Sequence, residues 1–203
     1  LDFNQLSDLI LTHFHPDHVS GVPLLLMDLW LLGRQEPLNI YGLDYTLERV
    51  EKNLELYNWT RWPDFFPVKF TRLPEKEMAI ILENEEFRVF ASPVHHLIPT
   101  IGLRIEFPQS KKALAYSCDT QPCEQVIDLA RGAEVLLHET AGPAKGHSGP
   151  LEAGRVAQQA GAKKLFLIHY PTGDFDSPSL VSAAAQAFNG PVDLAQDFME
   201  IQF

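Results

Sequence analysis

Cysteine is nearly absent. Cys118 and Cys123 are the only two in 203 residues, which rules out a disulfide-stapled scaffold and a four-cysteine zinc site. Two reduced thiols in a reducing, cytoplasmic compartment is the expectation. Long apolar runs are also missing. The stretch from Val22 to Leu32 is interrupted by Asp28 and falls short of the roughly 20 residues a bilayer crossing needs. No basic, apolar leader opens the chain, so no membrane role is expected. Basic side chains are in deficit, 16 against 27 acidic ones, for a net charge of −11. That argues against a general nucleic-acid or anionic-membrane surface. Repeats, linkers and low-complexity segments are lacking. A chain that is 45% hydrophobic and 21% charged is neither disordered nor membrane-bound, and its length suits one domain, residues 1–203, with a sizeable core.

Short strand-like runs alternate with helix-like ones. Strands are expected over Leu9 to Thr12, Asn39 to Tyr41, Val68 to Arg72, Phe87 to Ala91, Ile101 to Phe107, Ala113 to Tyr116, Val135 to His138, Leu165 to His169 and Asp197 to Phe203. Helices are expected over Val19 to Gly33, from Asp44 to Tyr57, between Pro122 and Gly132, over Leu151 to Ala160, and from Ser177-Pro178 to Phe188. The helix through Val22 to Leu32 is apolar almost all round and reads as buried, with a surplus that suggests a homodimer contact. The aromatic run from Tyr57 to Phe66 reads as core or subunit packing before it reads as a substrate lid. The mixture predicts an α/β or α+β fold of sheets covered by helices.

What the chain has in excess is histidine: His13, His15, His18, His95, His96, His138, His147 and His169. Three fall within the six residues His13-Phe14-His15-Pro16-Asp17-His18. On an extended segment side chains two apart share one face, so His13 and His15 converge on one point. Pro16 cannot extend a central strand, so the chain turns there and brings Asp17 and His18 in from another direction. Four donors at the carboxyl end of a strand can serve two neighbouring cations. Imidazole with carboxylate suits zinc, with manganese and iron as rivals.

The HFHPDH segment resembles the His-x-His-x-Asp-His motif of the metallo-β-lactamase fold hydrolases. Later residues resemble the ribonuclease Z-like branch in order: His96 in HLIPTIGLRI, Asp119 in YSCDTQPC, His138-Glu139 in HET, His147-Ser148 in HSG, and His169 in LFLIHY. The resemblance runs from about Leu9 to Tyr170. It implies an αββα sandwich and a dinuclear centre. His13, His15 and His96 would hold one ion, Asp17, His18 and His169 the other, and Asp119 would bridge them. Of the adjacent pair His95 and His96, the spacing to Gly102 favours His96. The implied chemistry is hydrolysis by a metal-bridged hydroxide. Asp17 would orient or deprotonate that water, and His147, oriented by Glu139, would contact the phosphate or protonate the leaving oxygen.

Three departures shape the expected function. Only twelve residues precede His13, so the opening strands of the first sheet are expected to be missing from this chain. Only Pro108 to Lys112 separates two strands where ribonuclease Z proteins commonly insert a tRNA-binding arm. The loop motifs read HET and HSG in place of HEAT and HST. Together with the acidic charge these features point to a phosphodiesterase acting on a small phosphodiester or nucleotide-derived substrate, with RNA disfavoured. A tRNA 3′-processing endonuclease, a lactone or thioester hydrolase, and a non-catalytic metal-binding scaffold are the alternatives.

Overall fold

The computed structural model describes residues 3–171, 173 and 176–202. The chain forms two compact units, residues 1–74 and residues 75–203. The first carries β1 (Asp8–Leu11), α1 (Pro16–Val19), α2 (Val22–Leu31), β2 (Leu38–Leu43), α3 (Asp44–Leu56), a 3-10 turn (Trp59–Arg61) and β3 (Val68–Leu73). Its three strands are parallel in the order β1-β2-β3. Parallel neighbours need crossovers, which α1 with α2, and then α3, supply. Leu11, Val22, Leu26, Leu29, Leu38, Ile40, Leu47, Val50, Leu54 and Phe66 form this unit's core. Arg34 lies inside it. Its Nε donates to the Glu36 carbonyl at 2.8 Å, and its Nη2 donates to Leu6 and Pro37 at 2.6 and 2.8 Å. A buried guanidinium satisfied by backbone carbonyls ties the segment entering β1 to the segment entering β2. That anchors the strand from which the histidine motif leaves.

Trp59, Phe65 and Phe66 of the aromatic run pack on this unit's core, while Tyr57 is exposed. Trp30 stacks on Trp62 at 5.2 Å, Trp59 meets Phe65 edge-on at 5.5 Å, and the Trp30 indole donates to the Pro63 carbonyl at 2.8 Å. The apolar helix departs from expectation twice. It is broken at Ser20-Gly21 into α1 and α2, because Pro16 and Pro23 each suit a first helical turn. It is also not buried all round: Leu24, Leu31 and Leu32 are 60%, 66% and 65% exposed. One face of α2 is enough to serve this unit's core.

The second unit holds β4 (Ala79–Glu83), β5 (Arg88–Val94), β6 (Thr100–Phe107), β7 (Lys112–Tyr116), α4 (Glu124–Ala130), β8 (Val135–Glu139), α5 (Pro150–Ala160), β9 (Lys164–Ile168), α6 (Ser177–Ala185) and β10 (Val192–Leu194). Its sheet runs β10-β9-β8-β7-β6-β5-β4. The core lies between the sheet and α4, α5 and α6, with Val126, Leu129, Leu136, Val156, Leu165, Leu167 and Phe188 at its centre. The expected last strand is corrected. Asp197 and Phe198 form a turn with Phe198 at φ +63, and Val192–Leu194 takes the edge beside β9 instead; Phe203 lies outside the described residues. β4 was not expected, because its five residues carry no clear period. Both cysteines are buried and free. Among the described residues, no helix is long and apolar enough to cross a membrane.

Gly154, in the middle of α5, is fixed by packing. A Cβ there would stand 2.3 Å from the Ala184 carbonyl oxygen of α6. Alanine favours a helix interior over glycine by about 1 kcal/mol, but the contact is with backbone and cannot rotate away. Gly154→Ala is therefore expected to destabilise the protein, by about 2 kcal/mol as an overpacked site. Urea denaturation checks this; an unchanged or higher midpoint would contradict it.

Candidate active site

The site residues follow from strand direction. In the second unit β5 is antiparallel to β6, and β6 is antiparallel to β7. β7, β8 and β9 are mutually parallel. The carboxyl ends of β5, β7, β8 and β9 therefore lie on one rim. His95 and His96 follow β5, Asp119 follows β7, Glu139 ends β8, and His169 follows β9. This is the rim where open sheets with parallel strands place their ligand sites.

Two non-glycine residues on this rim hold left-handed backbone, Cys118 at φ +55 and His169 at φ +48. Such positions cost about 1–3 kcal/mol each and gather where geometry is functional. Here they turn the chain at the ends of β7 and β9, next to or at a donor. The Nε2 atoms of His169 and His96 lie 3.4 and 3.9 Å from Asp119 Oδ2. The longer distance is beyond a hydrogen bond. Two imidazole nitrogens gathered round one carboxylate oxygen is a donor set that suits a divalent ion. His95 is exposed and engages through its backbone.

Glu139 is fully buried and carries three donors. Its Oε1 accepts the Thr120 amide at 2.8 Å and the His147 Nδ1–H at 2.9 Å, and its Oε2 accepts the Ala141 amide at 3.0 Å. Burial pushes its carboxyl up, and the Ala141 and Thr120 amides and His147 draw it back. His147 thus meets Glu139 through Nδ1, and Nε2 is the ring nitrogen outside that bond. His147 lies parallel to His169 at 5.7 Å and edge-on to His96 at 4.9 Å. Glu139, His147 and His169 also bring donor atoms within 4.8 Å of one another.

In the first unit, the four residues after β1 are irregular and α1 starts at Pro16, with His15 in extended backbone as its N-cap. The turn expected at Pro16 is this helix start. His13 Nε2 faces His15 Nδ1 at 3.2 Å, the His13 and His18 rings are 4.0 Å apart, and Asp17 Oδ2 lies 3.2 Å from His18 Nε2. The four donors of the motif thus gather within their own unit.

The sequence assigns no catalytic or supporting role to Thr120, Gln121, Gly146 or Ser148. Thr120 supports Glu139 through its amide, and the Ser148 hydroxyl donates to the Thr120 carbonyl at 2.7 Å. These contacts span loops far apart in the chain, and no spacing pattern signals them.

Comparison with known proteins follows the same lines. A family model described as "Beta-lactamase superfamily domain" matches residues 2–170. The Ribonuclease Z of Methanothermobacter thermautotrophicus is 29% identical, over 98% of this chain and 80% of its own length. That alignment runs over 254 positions against the 203 residues here, so the relative carries stretches this chain lacks. Among solved structures, the metallo-β-lactamase fold protein YhfI from Bacillus subtilis superposes with a TM-score of 0.77 at 23% identity, over 97% of this chain and 77% of that one. The short form of human tRNase Z gives 0.75 at 24% identity, over 100% and 81%. The fold is that of the metallo-β-lactamase proteins.

His138, next to Glu139, is fully buried and points to the opposite face of β8. Its Nδ1–H donates to the Glu139 carbonyl at 2.8 Å and its Nε2 has no partner among the described residues. Burial holds its pKa down at about 4, from 6.5. The unfolded chain therefore binds more protons between these values. The neutral ring's contribution is fully present above pH 6.5 and is lost as pH falls toward 4. Between pH 7 and 4.5 the loss is on the order of 2–3 kcal/mol. Urea unfolding of His138→Gln should show a shallower fall over that range than the parent; parallel curves would remove the assignment.

Proposed function

We propose that this chain, which belongs to the beta-lactamase superfamily domain family, is a dinuclear metal-dependent phosphodiesterase acting on a small phosphodiester or nucleotide-derived substrate. Metal-dependent hydrolysis is the family's chemistry. The observation that carries the finer reading is the Glu139–His147 pair beside Asp119, His96 and His169. A phosphodiester needs a proton donor for its leaving oxygen, and an imidazole backed by a buried carboxylate is such a donor.

The proposed ligands are His13, His15, Asp17 and His18 in the first unit and His96, Asp119 and His169 in the second. Their imidazole and carboxylate donors suit zinc, with manganese and iron as alternatives. Two divalent ions held there would polarise the phosphoryl oxygens and activate a water. The chain's own residues do the rest. Asp17 orients or accepts a proton from the nucleophile, and His147 gives its Nε2 proton to the leaving oxygen. Glu139 holds the ring's orientation and stabilises its charged form.

A small substrate is favoured by the turn between β6 and β7. Only residues 108–111 join the two strands, which leaves no arm there to grip an RNA, and the net charge is −11. The relative's name, Ribonuclease Z, favours a second reading, tRNA 3′ processing. Assays of an aryl phosphodiester, a precursor tRNA and a lactone separate these readings. A cytoplasmic setting is supported by the two free, buried thiols. A homodimer through α2 is supported by its exposed Leu24, Leu31 and Leu32; light scattering tests it.

Asp119→Ala is expected to abolish phosphodiester hydrolysis and lower bound metal, measured by elemental analysis; full activity would overturn the dinuclear assignment. His147→Ala is expected to keep its metal and lose kcat by about 10²- to 10⁴-fold with KM little changed. Loss of metal in that variant would mean that His147 is a ligand.

A further inference from the structure

The loop that carries His147 is strapped to the segment that carries His96 through Gly146. Its carbonyl accepts the His96 Nδ1–H at 2.6 Å. Its amide donates to the Gln121 side-chain Oε1 at 3.2 Å. Gly146 sits at φ +84, and a Cβ there would lie 2.9 Å from Leu97 Cγ and 3.1 Å from His96 Nδ1. Left-handed backbone and this close approach both require glycine.

Gln121 is held in turn. Its amide donates to the His95 carbonyl at 2.8 Å. The residue before it, Thr120, gives its own amide to Glu139 and takes the Ser148 hydroxyl on its carbonyl. Residues 95–96, 120–121, 139 and 146–148 thus form a closed ring of hydrogen bonds. The ring performs two tasks. Donation from Nδ1 to Gly146 leaves His96 with its lone pair on Nε2, the nitrogen that faces Asp119. Anchoring Gly146 also places the next residue, His147, against Glu139 at 2.9 Å.

We propose that Gln121 is a positioning residue that, through Gly146, couples the orientation of His96 to that of His147. Gln121 reaches neither the donor cluster nor the proton-transfer pair in the structure. It acts by accepting the Gly146 N–H. Without that acceptor the peptide joining Lys145 to Gly146 loses its anchor, and the turn, then held by the His147 amide on the Ala144 carbonyl at 3.0 Å, shifts and loosens the setting of both imidazoles. The consequence for turnover rests on the proposed phosphodiesterase function; the strap itself does not.

The test compares the parent, Gln121→Ala and Gln121→Glu. Glutamate keeps an oxygen where the amide needs an acceptor; alanine does not. Amide exchange at Gly146, read by NMR on protein stripped of metal, is expected to quicken at least about tenfold in Gln121→Ala and to stay near the parent rate in Gln121→Glu. With metal restored and an aryl phosphodiester as substrate, Gln121→Ala is expected to lose about 10- to 100-fold in kcat with KM within about twofold, as for removal of an outer support of a metal site. Gln121→Glu is expected to recover most of that loss. Unchanged Gly146 exchange in Gln121→Ala overturns the strap, as does kcat unchanged in that variant or equally damaged in both. A parent protein without metal-dependent phosphodiester hydrolysis overturns the proposed function alone. The exchange comparison then still decides the strap, faster exchange in Gln121→Ala supporting it and equal exchange overturning it.

Discussion

A carboxylate inside a protein must be paired or give up its charge, because the interior cannot solvate it. Glu139 sits at the end of a central strand with no exposure to solvent. Three donors converge on its two oxygens, the amides of Thr120 and Ala141 and the His147 ring. The surrounding loops are shaped by that requirement. The chain after β7 turns to present Thr120, and the loop after β8 folds back to present His147. Satisfying one buried carboxylate thus fixes the place and the tautomer of the His147 imidazole.

The same rim gathers candidate metal donors for a topological reason. Strands β5, β7, β8 and β9 run in one direction although β6 between them runs back. Residues 96, 119, 139 and 169 are separated by long stretches of chain, yet each follows or ends a strand pointing the same way. The strands supply a rigid platform, and the left-handed residues Cys118 and His169 make the final turns. A site carried by strand ends is held more tightly than one built on free loops. This matters because the three candidate ligands His96, Asp119 and His169 and the candidate proton donor His147 would have to keep their relative positions through a reaction.

Around this centre the rest of the second unit serves packing. α4, α5 and α6 cover one face of the sheet, and the α5–α6 approach is close enough that only glycine fits at position 154. In the first unit Arg34 and the aromatic group of Trp30, Trp59, Trp62, Phe65 and Phe66 stabilise the segments flanking β1 and β2. The histidine motif leaves from that braced strand. The exposed leucines of α2 stand outside this scheme, since the unit's core uses the opposite face of that helix.

Much of this was legible in the chain itself. The histidine motif announced metal chemistry because four donors at that spacing have few other uses, and most strands and helices followed from periodicity, proline and glycine. The elements that escaped were those whose sequence carries no period. β4 and β10 exist because a neighbouring strand offers hydrogen bonds, and the helix after the motif breaks where two prolines compete to start it. The apolar helix was read as buried on every face, although composition cannot tell how many neighbours a helix has. The sequence alone determined which residues are candidate donors, the family they point to and the absence of an inserted arm between β6 and β7. Only tertiary structure decided the ring of bonds through Gln121 and Gly146 and the burial of Glu139 and His138. Those depend on residues distant in the chain meeting at one sheet rim, and side-chain spacing along the chain holds no record of such meetings.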